Sequence, residues 1–253
     1  MTKFGFDKDL LAGKTVVLTG AGRGIGLAVA QAIVECGAKL IAHSGRAGTA
    51  SSLDGIADAI FEGDLSEGQT CVDFVDFVKS KTSGVDVLIN NAGTMLGRFA
   101  ADALTMEQYD KLVALNQTSV VRITSGLIPL LKTSHSASII NTVSISATTG
   151  GSAGSSIYSS TKAFVATYTK ALATELAPDG IRVNAVSPGT IATDFHERYS
   201  TKEKLEKTRN AIPLRRLGTA DDCAPAYVFF ASERLSGYVT GQVFEINGGQ
   251  LIC

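Results

Sequence analysis

The sequence predicts an α/β fold, a doubly wound parallel sheet of about seven strands with helices on both faces. Three observations predict it. Short β-branched runs alternate with longer amphipathic stretches along the whole 253-residue chain. Runs such as VVL (16–18) and VLI (87–89) are continuously apolar, as in a sheet covered on both sides. The first run ends in a glycine cluster that opens a helix, the usual entry to a nucleotide-binding βα unit.

Strands are expected at residues 14–19, 39–43, 59–62, 85–89, 138–143, 181–186 and 243–246. Helices are expected over 27–36, 70–79, 106–131, 159–176 and 220–231. Alternation at this spacing makes βαβ units, and their right-handed crossovers generate a parallel sheet. Between positions 46 and 60 there is room for only a brief helix. No internal repeat, low-complexity tract or Pro/Ser-rich linker divides the chain, so one domain spanning 1–253 is expected. The glycine- and serine-rich stretch 150–156 leads straight into the helix that follows, which suits a loop beside a site better than a domain boundary.

Composition narrows the function. With 23 basic and 24 acidic residues the net charge is −1, which gives no case for nucleic acid or an anionic membrane as partner. Cys36, Cys71, Cys223 and Cys253 are scattered, form no CxxC pair and lie near no suitably spaced His, so no metal site is expected. The first residues lack the apolar core of a signal peptide and no apolar run would span a bilayer, so a cytoplasmic protein is expected.

The chemistry-bearing residues come in order. Gly20, Gly22, Gly24 and Gly26, with Arg23 and Ile25 between them, follow the first strand. Glycines there let backbone N–H groups approach a pyrophosphate, and the helix start adds unpaired donors and a partial positive charge. Tyr158 and Lys162 stand four apart on a predicted helix and share a face. An ammonium beside a phenol favours the phenolate and draws its pKa down towards the working pH, as a general acid and base requires.

These residues resemble the short-chain dehydrogenase/reductase family, whose TGxxxGxG pattern is met at 19–26. The resemblance recurs at NNAG (90–93), Asn116, Ser144, YSSTK (158–162), the PGxxxT loop (188–193) and the closing strand that ends in NGG (247–249). It implies a single NAD(P)-binding Rossmann domain and a hydride transferred between a nicotinamide cofactor and a carbonyl or secondary alcohol. Tyr158 would be the general acid and base, Ser144 would hold the substrate oxygen, Asn116 would hold a water behind Lys162, and Lys162 would bond the nicotinamide ribose. The cofactor would meet Asp64 and Leu65 after the third strand, then Asn91, Ala92, Gly93, Pro188, Gly189, Ile191 and Thr193. Ser144 lies fourteen positions before Tyr158, one more than the family spacing, with Ser146 the alternative and the 150–154 loop the place for the extra residue.

Ser44 stands where members that prefer NAD carry an acid at the end of the second strand, and the next acid is Asp54. With no carboxylate to repel a 2′-phosphate, and Arg46 and Arg23 able to meet one, NADP(H) is the expected cofactor and NAD(H) the alternative. Residues 190–217 resemble the family's substrate lid, and Leu96, Arg98, Thr148, Thr149, His196 and Tyr199 are candidates to line the substrate pocket. The pattern is similar to 3-oxoacyl-carrier-protein reductases and to sugar or polyol dehydrogenases. The competing function is an idle NADP(H)-binding sensor or structural subunit. A homotetramer is implied, with the 159–176 and 106–131 helices at an interface.

Overall fold

A computed structural model describes residues 1–45 and 48–252, and of His196 and Glu197 the backbone only. Seven strands form one sheet: β1 (Thr15–Leu18), β2 (Lys39–Ser44), β3 (Ala59–Glu62), β4 (Val87–Asn90), β5 (Ser138–Thr142), β6 (Arg182–Pro188) and β7 (Val243–Ile246). Every neighbouring pair is parallel and the order is β3-β2-β1-β4-β5-β6-β7. Register is set centrally by Val16 opposite both Leu40 and Val87.

The helices are α1 (Gly24–Glu35), α2 (Gly68–Lys81), α3 (Met106–Val113), α4 (Ser119–Leu131), α5 (Ser146–Thr149), α6 (Ser156–Leu176), α7 (Asp194–Tyr199), α8 (Lys202–Ala211), α9 (Ala220–Ala231) and α10 (Glu233–Ser236). Successive strand residues face opposite sides, which splits the core in two. Val16, Leu18, Leu40 and Ile89 pack with Val29 and Ile33 of α1 and Tyr227 and Phe230 of α9. Val17, Leu88, Ile139 and Val183 pack on the other face with Phe74 of α2, Leu127 of α4 and Leu172 of α6.

Two details depart from a regular repeat. The helix expected over 106–131 is broken by a π-turn, Ala114–Thr118, which joins α3 to α4 and carries Asn116. Between β2 and β3 there is a single 3₁₀ turn, Ala50–Leu53, in place of a full helix. The strand order reverses between β1 and β4, so their carboxyl ends open a crevice, the usual ligand position in such sheets.

Candidate active site

The crevice starts at the end of β1. The Thr19 hydroxyl accepts from the N–H groups of Asn91 and Ala92, both at 3.0 Å. The Asn91 side-chain amide donates back to the Gly20 and Thr19 carbonyls at 3.0 and 3.2 Å. This lacing brings the backbones together, and a Cβ on Gly20, which has φ +67°, would sit 2.9 Å from Ala92 Cα. At Gly26 a Cβ would lie 2.0 Å from the Gly20 carbonyl oxygen, so only glycine lets α1 pack this close to its own loop. Arg23 precedes α1 without a side-chain cap and no acid occupies the first turn, so the helix start presents its positive end to the cavity lined by Gly24, Ile25 and Gly26.

The cavity holds about 910 Å³. Among the residues singled out from sequence, Gly20, Gly22, Arg23, Gly24, Ile25, Gly26, Asp64, Leu65, Asn91, Ala92, Gly93, Ser144, Tyr158, Lys162, Pro188, Gly189, Ile191 and Thr193 line it, as do Leu96, Arg98 and Thr149. Six lie elsewhere or beyond description. Ser44 is fully buried, its hydroxyl 2.6 Å from Thr49 Oγ1, and it is Thr49 that faces the cavity. Asn116 lies behind the wall, and Arg46 falls outside the described residues. Thr148 and Tyr199 do not line the cavity, although the Tyr199 phenol bonds Thr94 Oγ1 at 3.0 Å, and the His196 side chain is outside the description. Arg23 is ion-paired with Asp194 at the start of α7.

At the centre, Tyr158 and Lys162 lie one turn apart on α6, both buried. Ser144 lies close enough to the Tyr158 hydroxyl to lower its pKa, and its Oγ accepts from Ser146 N–H at 3.2 Å. The loop that leads from Ser144 to Tyr158 takes left-handed backbone at Gly150, Gly151 and Gly154. Lys162 Nζ donates to the Thr142 carbonyl at 2.8 Å. A Cβ on Gly93 would press within 3.1 Å of that ammonium, which accounts for the last residue of NNAG. The ring of Phe195 on α7 packs against Tyr158, with ring centroids 5.9 Å apart.

The electrostatics correct one expectation. In the ligand-free chain burial pushes the Tyr158 phenol up to about 12, only partly offset by Ser144. Burial likewise draws the Lys162 ammonium down to about 8. Desolvation therefore outweighs mutual attraction, and the phenol is not drawn down by its neighbour alone. Asn116 lies fully buried behind this pair. Its Nδ2 donates to the Thr94 carbonyl at 2.8 Å and to Thr161 Oγ1 at 3.1 Å, while its Oδ1 accepts from Thr94 N–H at 2.9 Å. The side chain thus buckles the post-β4 loop to α6 between Tyr158 and Lys162, leaving one Oδ1 lone pair for any water.

The residues from 20 to 250 match the family model described as enoyl-(acyl carrier protein) reductase. An uncharacterized short-chain type dehydrogenase/reductase of Sinorhizobium fredii is 37% identical, over 96% of this chain and 99% of its own. The chain belongs to the short-chain dehydrogenase/reductase family, and it is an oxidoreductase. Among solved structures of this family, an NADH-dependent reductase responsible for alginate metabolism is 35% identical, with a TM-score of 0.86 over 96% of this chain and 99% of that one. A putative NAD(P)-dependent gluconate 5-dehydrogenase from Beutenbergia cavernae, with bound NADP, is 29% identical, with a TM-score of 0.88 over 96% and 99%. Among the described residues of this short-chain dehydrogenase/reductase there is no group of side chains that could hold a metal ion and no helix long and apolar enough to cross a membrane. Cys36, Cys71 and Cys223 are free and buried.

Sequence reasoning passed over His43, which carries the glycine loop from below. Its Nδ1 accepts from Gly20 N–H at 3.1 Å and its Nε2 lies 2.8 Å from the Gly63 carbonyl. These partners assign the neutral Nε2–H tautomer, and protonation would set a second N–H against that of Gly20. Burial lowers the imidazole to about 4 from 6.5. The unfolded chain therefore takes up a proton below pH 6.5 while the folded chain does not, so stability falls as pH drops from about 6.5 to about 4. By pH 5 the loss from this group is about 2 kcal/mol. Urea unfolding at pH 7 and 5 checks this: His43→Asn is expected to flatten the acid loss by that amount, and an equal loss in both proteins would contradict it.

Proposed function

We propose that the chain is an NADP(H)-dependent carbonyl reductase or secondary-alcohol dehydrogenase with Tyr158 as its general acid and base. The observation that carries this is the buried Tyr158–Lys162 pair, with Ser144 beside it, on the wall of the glycine-loop cavity. A nicotinamide cofactor, when bound, supplies or accepts the hydride. In reduction the Tyr158 Oη–H gives its proton to the carbonyl oxygen, and in oxidation the phenolate takes the proton from the alcohol. Ser144 holds the same oxygen and stabilises the charge that develops on it. Lys162, fixed by the Thr142 carbonyl, is assigned to the nicotinamide ribose, and Asn116 positions α6. Residues 190–217, with α7 and α8, form the lid, and Phe195 keeps water from the Tyr158 ring. A cationic nicotinamide beside the buried phenol would favour the phenolate and lower its pKa.

The cofactor preference rests on Ser44 in place of an acid and on Arg23, and the Beutenbergia relative, which is NAD(P)-dependent, holds NADP at low occupancy. To reach a 2′-phosphate Arg23 must leave Asp194. Assays of Tyr158→Phe and the parent chain with NADPH and NADH test both parts. Turnover is expected to fall about 10²–10⁴-fold in the variant while cofactor affinity is kept, with NADPH preferred by the parent. Undiminished turnover would remove Tyr158 from the mechanism, and turnover with NADH alone would overturn the NADP(H) assignment.

We also assign a homotetramer. Phe164 and Tyr168 stack at 5.8 Å on an open part of α6, and Met106 and Tyr109 are exposed on α3. Such apolar groups on exposed helix faces suit two-fold contacts between copies. Light scattering is expected to give the mass of four chains, and a monomer mass would refute the assignment.

A further inference from the structure

The lid gives the cavity a direction. Asp194 at the start of α7 meets Arg23 of the glycine loop, Phe195 meets Tyr158, and Tyr199 at the end meets Arg98. Arg98 therefore lies beyond Tyr158 from the pyrophosphate cradle, on the side left for substrate. Its Nε donates to the Tyr199 carbonyl at 2.8 Å, and its Nη1 donates to Ser152 Oγ at 2.8 Å and to the Ala153 carbonyl at 3.3 Å. Lys204 Nζ, from α8, donates to the same Ser152 Oγ at 3.0 Å.

Two cations thus converge on one hydroxyl. Neither has a carboxylate partner among the described residues, and each is half-buried in the cavity wall. Like charges brought together cost free energy unless an anion lies between them. The rest of the wall agrees. The described cavity residues include Arg23, Arg98, Lys111, Lys162, Arg198 and Lys204, against the carboxylates of Asp64 and Asp194 alone. Asp194 is already held by Arg23 and Arg198. A chain of net charge −1 has therefore concentrated positive charge in this one cleft. Cofactor phosphates account for it at the glycine-loop end, but not for Arg98 and Lys204 at the other.

We propose that Arg98, Lys204 and Ser152 form a subsite for a carboxylate of the substrate. The substrate class is then an oxo acid, or the matching hydroxy acid in the oxidative direction. A neutral ketose or polyol does not fit this subsite. Two oxygens match two cationic donors, and the planar guanidinium suits a carboxylate particularly well. The inference rests on the reading of Tyr158 as the reacting centre, because that reading makes this end of the cavity the substrate end.

Calorimetric titration of the NADP⁺-loaded protein with gluconate and with glucitol, six-carbon ligands that differ in the carboxylate, tests it without requiring turnover. Gluconate is expected to bind at least about tenfold more tightly, the size of one charge-assisted contact. Lys204→Gln should close most of that gap and Lys204→Arg should keep it. Equal binding of the two ligands, no binding of either, or an equal loss on both in Lys204→Gln would overturn the subsite. Failure of the hydride-transfer reading looks different: Tyr158→Phe would leave turnover unchanged while gluconate was still preferred over glucitol.

Discussion

The site depends on a seam between two strands that are distant in sequence. β1 and β4 are adjacent where the sheet changes direction, and beyond their last paired residues the chains are laced by Thr19, Asn91 and Ala92. Each polar group in that lacing would otherwise be an unmet backbone donor or acceptor at the edge of a buried sheet. The lacing fixes how far apart the glycine loop and the post-β4 loop can be. From it follow the small residues at Gly20, Gly26 and Gly93, since a Cβ at each would meet backbone or a functional side chain. Asn116 continues the same seam, carrying the post-β4 loop across to α6 and so to Tyr158 and Lys162.

Burial is the second constraint, and it works against the chemistry as well as for it. A phenol and an ammonium placed in a dry wall are both biased to neutrality, which holds Tyr158 high and Lys162 low in the free chain. The same dryness makes each hydrogen bond to a reacting oxygen count for more than it would in water. His43 follows the same logic on the far side of the glycine loop, where a neutral ring with one donor and one acceptor joins β2 to Gly20 and Gly63.

Much of the fold could be read from the sequence, because the buried strands β1 and β4 leave continuous apolar runs, and even the half-buried edge strands β3 and β7 fall at the residues expected, 59–62 and 243–246. The glycine loop and the tyrosine–lysine pair were visible for the same reason: their spacing is local, i to i+4 or within one turn. What was hidden is non-local. The π-turn around Asn116 leaves no mark on a 3.6-residue period, so 106–131 reads as one helix. His43 looks like one more strand residue until Gly20, 23 positions earlier, is placed beside it. The cover of Ser44 by Thr49 depends on how a short connection folds back, and the meeting of Arg98 with Lys204 depends on where α7 and α8 settle. The pKa directions needed the burial of both partners, which adjacency on a helix does not supply.

In the proposed function Tyr158 is a buried, protonated phenol that a bound nicotinamide cofactor brings into range as acid and base. The direct measurement is a tyrosinate absorbance titration of the parent chain minus that of Tyr158→Phe, which isolates one of six tyrosines, without cofactor and with saturating NADP⁺. Tyr158 is expected to ionise near 12 in the free protein and well below that when the cofactor is bound. Ionisation below the ordinary value of about 10 in the free protein, or no shift on adding cofactor, would contradict it.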